Sequence, residues 1–98
     1  MKDQNLIELF LEMILTERAA SLNTLESYRR DLEIFVETQG TSLGKASTTD
    51  IRSYLKYLAG QGFAATTSAR KLSCLRQFFK FLYAEGIRTD NPALDLDS

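Results

Sequence analysis

The feature that most constrains this chain is the return of apolar residues at helical spacing in four separate stretches. Between Gln4 and Glu17, the residues Leu6, Leu9, Phe10, Met13 and Ile14 fall at i, i+3, i+4, i+7 and i+8, the stripe of a helix with one buried face. Ser21 supplies an N-cap hydroxyl for a second helix, in which Leu25, Tyr28, Leu32, Phe35 and Val36 carry the stripe to about Gln39 before Gly40 stops it. Residues 40–48 have loop composition, and Thr48 is placed to cap a shorter third helix that buries Ile51, Tyr54, Leu55 and Leu58 and ends at Gly60 and Gly62. The longest helix is expected from about Ala65 to Glu85, with Leu72, Leu75, Phe79, Leu82 and Tyr83 on its core side and Gly86 at the C′ position. No alternating strand pattern of useful length and no internal repeat interrupts this order. The fold class is all-α, a compact four-helix bundle.

At 98 residues, 44% hydrophobic and 26% charged, the chain has the side chains for one core and no room for two domains. Its apolar stretches are broken by charge well short of the roughly 18 to 20 residues that a membrane span needs, so no membrane partner is expected. The start Met1-Lys2-Asp3 runs straight into the first stripe without an apolar signal region, and the single cysteine, Cys74, has no internal disulfide partner. A soluble protein of the reducing cytoplasm is the expectation. With no histidine and one cysteine, zinc sites and Ser/His or Cys/His nucleophile arrangements lack their parts. Of the four tyrosines, Tyr28, Tyr54 and Tyr83 sit on core stripes, and no cluster of bases surrounds any of them. The chain is therefore read as non-catalytic, with no metal, cofactor or small-molecule substrate. Asn91-Pro92 cannot continue the last helix, because the residue before a proline is driven out of helical ψ. The expected division is a helical domain over 1–88 and an acidic, aliphatic tail over 89–98 with no evident packing role, either a linker cut short or a frayed terminus.

The formal net charge of −1 hides an uneven distribution. Within residues 1–17, Lys2 stands against Asp3, Glu8, Glu12 and Glu17, whereas residues 65–84 hold Arg70, Lys71, Arg76 and Lys80 with no acid. With ~100° per residue and Leu72 at zero, the apolar set of the last helix centres near about 330°. Opposite it, Thr66, Arg70, Ser73, Gln77 and Lys80 make one ridge of hydrogen-bond donors without a carboxylate. Arginine donates in bidentate fashion to guanine, glutamine pairs with adenine, and hydroxyls and lysine reach phosphate, so the ridge has the residue types of a DNA-reading face. The competing reading is a solvated helix face, although such faces usually mix both signs to gain i,i+4 pairs. On the second helix Asn23, Ser27 and Arg30 lie together near an N-terminus that attracts phosphate, diluted by Glu26, Glu33 and Glu37. Asn23 and Thr24 equally serve as helix-start residues. Cys74 and Phe81 fall off the main stripe and either pack beneath the first helix or form an exposed patch that calls for a partner.

In order along the chain, Ser21-Leu-Asn-Thr-Leu-Glu-Ser-Tyr-Arg-Arg-Asp-Leu32, then Thr66-Thr-Ser-Ala-Arg-Lys-Leu-Ser73 leading into Phe78-Phe79, then Asn91-Pro92-Ala93, resemble the N-terminal core-binding domain of tyrosine recombinases of the XerC/XerD and phage-integrase type. The resemblance covers essentially the whole chain. It implies a SAM-like four-helix orthogonal bundle, joined after the Asn-Pro region to a catalytic domain that carries the tyrosine nucleophile and its arginines. It implies that this piece grips one face of double-stranded DNA at a recombination half-site during strand exchange, among other recombinase protomers, while the catalytic domain closes on the opposite face. Since the second and fourth helices of the family face DNA, the resemblance carries over to Asn23, Thr24, Ser27 and Arg30, and to Thr66, Thr67, Arg70, Lys71, Ser73 and Gln77. Thr67 and Lys71 rest on the resemblance, and Lys80 on helical geometry alone. The alternative function is a helical protein–protein interaction module without DNA binding, a role that SAM-like bundles also fill. Arg70→Glu, on a surface ridge, is expected to change stability by no more than roughly half a kcal/mol.

Overall fold

The computed structural model describes residues 1–96. It holds four helices in the expected order, α1 (Asp3–Arg18), α2 (Leu22–Gln39), α3 (Thr48–Ala59) and α4 (Ala65–Ala84), and no strand among the described residues. The central pair is α2 and α4: each touches the other three helices, while α1 and α3 flank them without touching one another. That arrangement follows from the width of the stripes. On α4 the buried set is Lys71, Leu72, Cys74, Leu75, Phe78, Phe79 and Leu82. Its centre lies about 50° from the one expected, because Cys74 and Phe78 join the core while Tyr83, counted there from the sequence, is 54% exposed. A helix enclosed by three neighbours buries a wider arc than a single stripe.

The aromatic core is built across these helices. Phe10 of α1 meets Phe78 edge-on at 5.3 Å between ring centroids, with Phe81 at 5.9 Å and Tyr28 at 6.2 Å. Phe81 is thus half-buried against α1, and Cys74 is fully buried, its thiol pushed above its ordinary pKa first by burial and then by Asp31. On the other side Phe35 contacts Tyr54 at 5.1 Å and Phe79 at 6.3 Å. Leu9, expected on the stripe of α1, lies at its edge and is exposed, and Leu55 of α3 is half-buried.

Helix ends are set by local chemistry. Ser21 caps α2 by accepting from the backbone N–H of Thr24 at 3.1 Å. Ser47, and not Thr48, caps α3, in a reciprocal box with Asp50. The Thr48 hydroxyl instead donates to the Pro92 carbonyl at 2.8 Å. Past α4, Gly86 takes φ +73°, and the N–H groups of Gly86 and Ile87 turn back to the carbonyls of Tyr83 and Leu82. This is a Schellman closure, which favours glycine at the left-handed position.

The tail packs, where the sequence showed no packing role for it. Asn91 Oδ1 accepts from the Ala93 N–H at 3.1 Å, turning the chain so that Pro92, Ala93 and Leu96 are buried. Arg88 clasps this segment: it donates to the Leu43 carbonyl at 3.1 Å, binds Asp90, and lies 5.5 Å from the Phe79 ring centroid. Its guanidinium holds the Asp90 carboxyl below the ordinary carboxylate pKa. The hydrophobic unit therefore reaches Leu96. The final two residues of the tail read from the sequence, Asp97 and Ser98, lie outside the described residues.

One buried side-chain polar atom among the described residues has no hydrogen-bond partner, the Tyr54 hydroxyl. Burial pushes its pKa up to about 12, with Asp31 adding to the shift. A raised pKa means that the protonated phenol stabilises the fold fully below the ordinary value of 10.0 and that this contribution is lost between there and about 12. Tyr54→Phe is expected to raise stability by about 1 kcal/mol at neutral pH. In urea melts from neutral to alkaline pH, the variant should also lose less stability than the parent above pH ~10.

Candidate nucleic-acid interface

The first turns of α2 and the N-terminal half of α4 come together along a shallow groove of about 220 Å³, lined by Asn23, Thr24, Ser27, Tyr28 and Arg70. Asn23 and Arg30 are exposed, while Thr24 and Ser27 are half-buried. The Thr24 hydroxyl shares a 3.1 Å hydrogen bond with the capping hydroxyl of Ser21. On α4, Thr66 is exposed and Thr67 half-buried. Neither helix carries an acid in its first turn, and α4 opens at Ala64 without a side-chain cap, so neither N-terminal end has its positive partial charge offset by a first-turn carboxylate. The sequence-predicted residues Asn23, Thr24, Ser27 and Arg70 are therefore brought together.

At the base of the groove lies an ion cluster that the ridge reading did not contain. Asp31 of α2 is 3% exposed. It accepts two bonds from Arg70, from Nε at 3.2 Å and Nη2 at 3.0 Å, and one from Lys71 Nζ at 2.9 Å. The Lys71 side chain is only 7% exposed and sits 5.5 Å from the centroid of the Phe63 ring. Lys71 thus belongs to the interior and not to the surface, because position 71 falls in the middle of the shifted core arc of α4. Arg70 sits at the edge of that arc, with its side chain 43% exposed. The carboxylate missing from α4 is supplied by α2. Arg70→Glu would set a second carboxylate against a buried one, so its expected stability loss exceeds the half kcal/mol of an ordinary surface change, as a thermal melt would read.

Gln77 is also engaged within the protein. Its Nε2 donates to the Tyr28 hydroxyl at 3.1 Å and to Ser73 Oγ at 2.9 Å, and its Oε1 accepts from Arg18 Nη1 at 3.0 Å. It ties α1 and α2 to α4, where the sequence reading had a free amide. Ser73 remains exposed beside Gln77 in a groove that also includes Arg76. Lys80, exposed, lies one groove further along α4, again with Arg76 and with Tyr83, Asn91 and Leu94. Arg76 was not among the sequence-predicted residues, yet it links these two grooves and makes no ion pair among the described residues. Recentring the core arc by about 50° turns Arg76 toward solvent, which is the signal that would have found it. Arg29, by contrast, is occupied by Glu8 and Glu26.

No group of metal-ligating side chains occurs among the described residues, and no helix there is long and apolar enough to cross a membrane.

The comparisons with known proteins agree with this architecture. Residues 7–86 match the family described as phage integrase, N-terminal SAM-like domain. The chain is 59% identical over 95 residues to the protein named Tyrosine recombinase XerD of Rhizobium meliloti (strain 1021), covering 94% of this chain and 30% of that protein. It is 56% identical over 95 residues to its namesake in Brucella suis biovar 1 (strain 1330), covering 94% and 31%. For Pasteurella multocida (strain Pm70) the identity is 43% over 101 residues, covering 100% and 34%. The chain spans 30 to 34% of the length of these relatives. With four helices in place and the family match running from the second turn of α1 past the end of α4, this chain belongs to the phage integrase N-terminal SAM-like domain family.

Proposed function

We propose that this chain is the DNA-binding module of a site-specific tyrosine recombinase, gripping one face of the duplex at a recombination half-site during strand exchange. The observation that carries the reading is the groove in which Asn23, Thr24 and Ser27 of α2 meet Arg70 of α4, with the acid-free first turn of α2 forming one side of it. Hydroxyls, an amide and helix N-terminal N–H groups are the donors that position a phosphate backbone. Arg30, Arg76 and Lys80 extend the positive surface, with Thr66, Thr67 and Ser73 as neutral donors. Lys71 and Gln77 act from inside, by holding the helices that present this face. Catalysis belongs to the remainder of the longer protein, and other recombinase protomers are partners of that full-length protein. The interaction-module reading loses the support that an exposed Phe81 would give it, since Phe81 packs on Phe10.

Titration of the 98-residue chain with duplex DNA across a salt series tests the reading. Contact by about four cations predicts a slope of log K against log salt near −3 to −4. The same mixture on a nicked duplex should yield no covalent protein–DNA adduct. A slope near zero, or no binding in low salt, contradicts the proposal in favour of a protein-interaction role.

A further inference from the structure

The cluster of Asp31, Arg70 and Lys71 holds one buried acid and two bases, and the bases differ in position. Lys71 Nζ is enclosed, bonded to Asp31 Oδ1 and covered by the Phe63 ring, while the Arg70 guanidinium lines the groove. Arg70 presents Nε and Nη2 to Asp31, and its Nη1 has no acceptor among the described residues. A carboxylate gripping an arginine from behind fixes the guanidinium plane but also cancels its charge toward an approaching phosphate. A second, hidden cation on the same carboxylate removes that cancellation.

We infer that Lys71 is a positioning residue that neutralises Asp31 from the inside, so that Asp31 orients Arg70 toward the DNA backbone while Arg70 keeps its full positive charge. Asp31 sets the direction of the guanidinium and Lys71 sets the net charge of the cluster. Neither side chain touches DNA. The inference rests on the DNA-binding reading above and adds to it the division of labour beneath the groove.

The test is a salt-series titration of the parent chain and three variants with one duplex, alongside their melting curves. Lys71→Met keeps the length of the side chain and leaves Asp31 paired with Arg70, so the cluster becomes neutral. Its binding slope should be shallower than the parent's by about 0.9, one phosphate's worth, with affinity reduced several-fold. Lys71→Arg restores the charge and should recover the parent slope. Asp31→Asn combined with Lys71→Met removes both buried charges and leaves Arg70 cationic but unheld. That double variant should regain the parent slope while its affinity at every salt concentration stays several-fold below the parent's. If Lys71→Met keeps the parent slope, or if the double variant keeps the shallow one, the inference is overturned, the second result meaning that Lys71 meets phosphate itself. Should Lys71→Met not fold, the double variant decides: parent slope with lowered affinity supports the inference, and a shallower slope or undiminished affinity overturns it. A parent slope of zero removes the DNA-binding reading and this inference together, an outcome distinct from failure of the variants alone.

Discussion

Asp31→Ala is expected to cost about 3 to 5 kcal/mol of folding stability, because it removes the shared acceptor of two cations and leaves one of them enclosed. Lys71 loses a 2.9 Å bond in a site where its side chain is 7% exposed, and water cannot replace the carboxylate there. For a domain of this size such a loss lowers the melting temperature by more than ~12 °C. Replacing both members of the enclosed pair, Asp31→Leu with Lys71→Met, is expected to regain most of that loss, since buried pairs exchange for apolar packing at little cost. Urea melts of the single and double variants check the pair of outcomes. A single variant as stable as the parent would mean that the cluster does not hold α2 to α4.

Phe10→Ala is the second large effect, at about 3 to 5 kcal/mol. Phe10 is fully buried and joins α1 to both central helices through Tyr28, Phe78 and Phe81. Truncating it empties a space that three rings from two helices cannot close without moving one another, so the cavity persists and its lining loses dispersion contacts. Tyr28, which lines the proposed DNA groove, meets this ring, but the charged and polar donors Asn23, Thr24, Ser27 and Arg70 lie on α2 and α4, and the folded fraction should bind duplex with the parent's salt slope. Equilibrium urea melts give the stability change, with a loss below about 1 kcal/mol contradicting the packing described.

Most of the fold was legible because helical periodicity and end signals reinforce one another. Each of the four stripes produced a helix within a residue or two of its expected ends, and Ser21, Gly40 and Gly86 act where the sequence placed them. What escaped were features decided by neighbours in space. The tail looked unpacked because nothing local shows that Arg88 and the Thr48 hydroxyl draw Pro92, Ala93 and Leu96 onto the core. Thr48 looked like a cap because a hydroxyl before a helix is ambiguous by one residue when serine precedes it. At the candidate interface, the structure gathers Asn23, Thr24, Ser27 and Arg70 in one groove, whereas Lys71 and Gln77, assigned outward from spacing or resemblance alone, bond within the protein. A signal for the buried cluster was available. Asp31 falls on the apolar stripe between Tyr28 and Phe35, at spacings of three and four, and Lys71 precedes Cys74 and Leu75 by three and four residues. Opposite charges on two core stripes imply that the stripes face each other and that the charges pair.

In the proposed function one face, made by the first turns of α2 and the N-terminal half of α4, receives duplex DNA. Amide chemical-shift mapping of the isotope-labelled chain during addition of duplex at low salt tests it most directly, since it reports every backbone position in one experiment. The largest changes are expected at Asn23, Thr24, Ser27 and residues 66–73, fading as salt is raised, with the amides of α3 staying near their starting positions. Changes centred on α3 or the outer side of α1, or a spectrum that duplex does not alter, would contradict it.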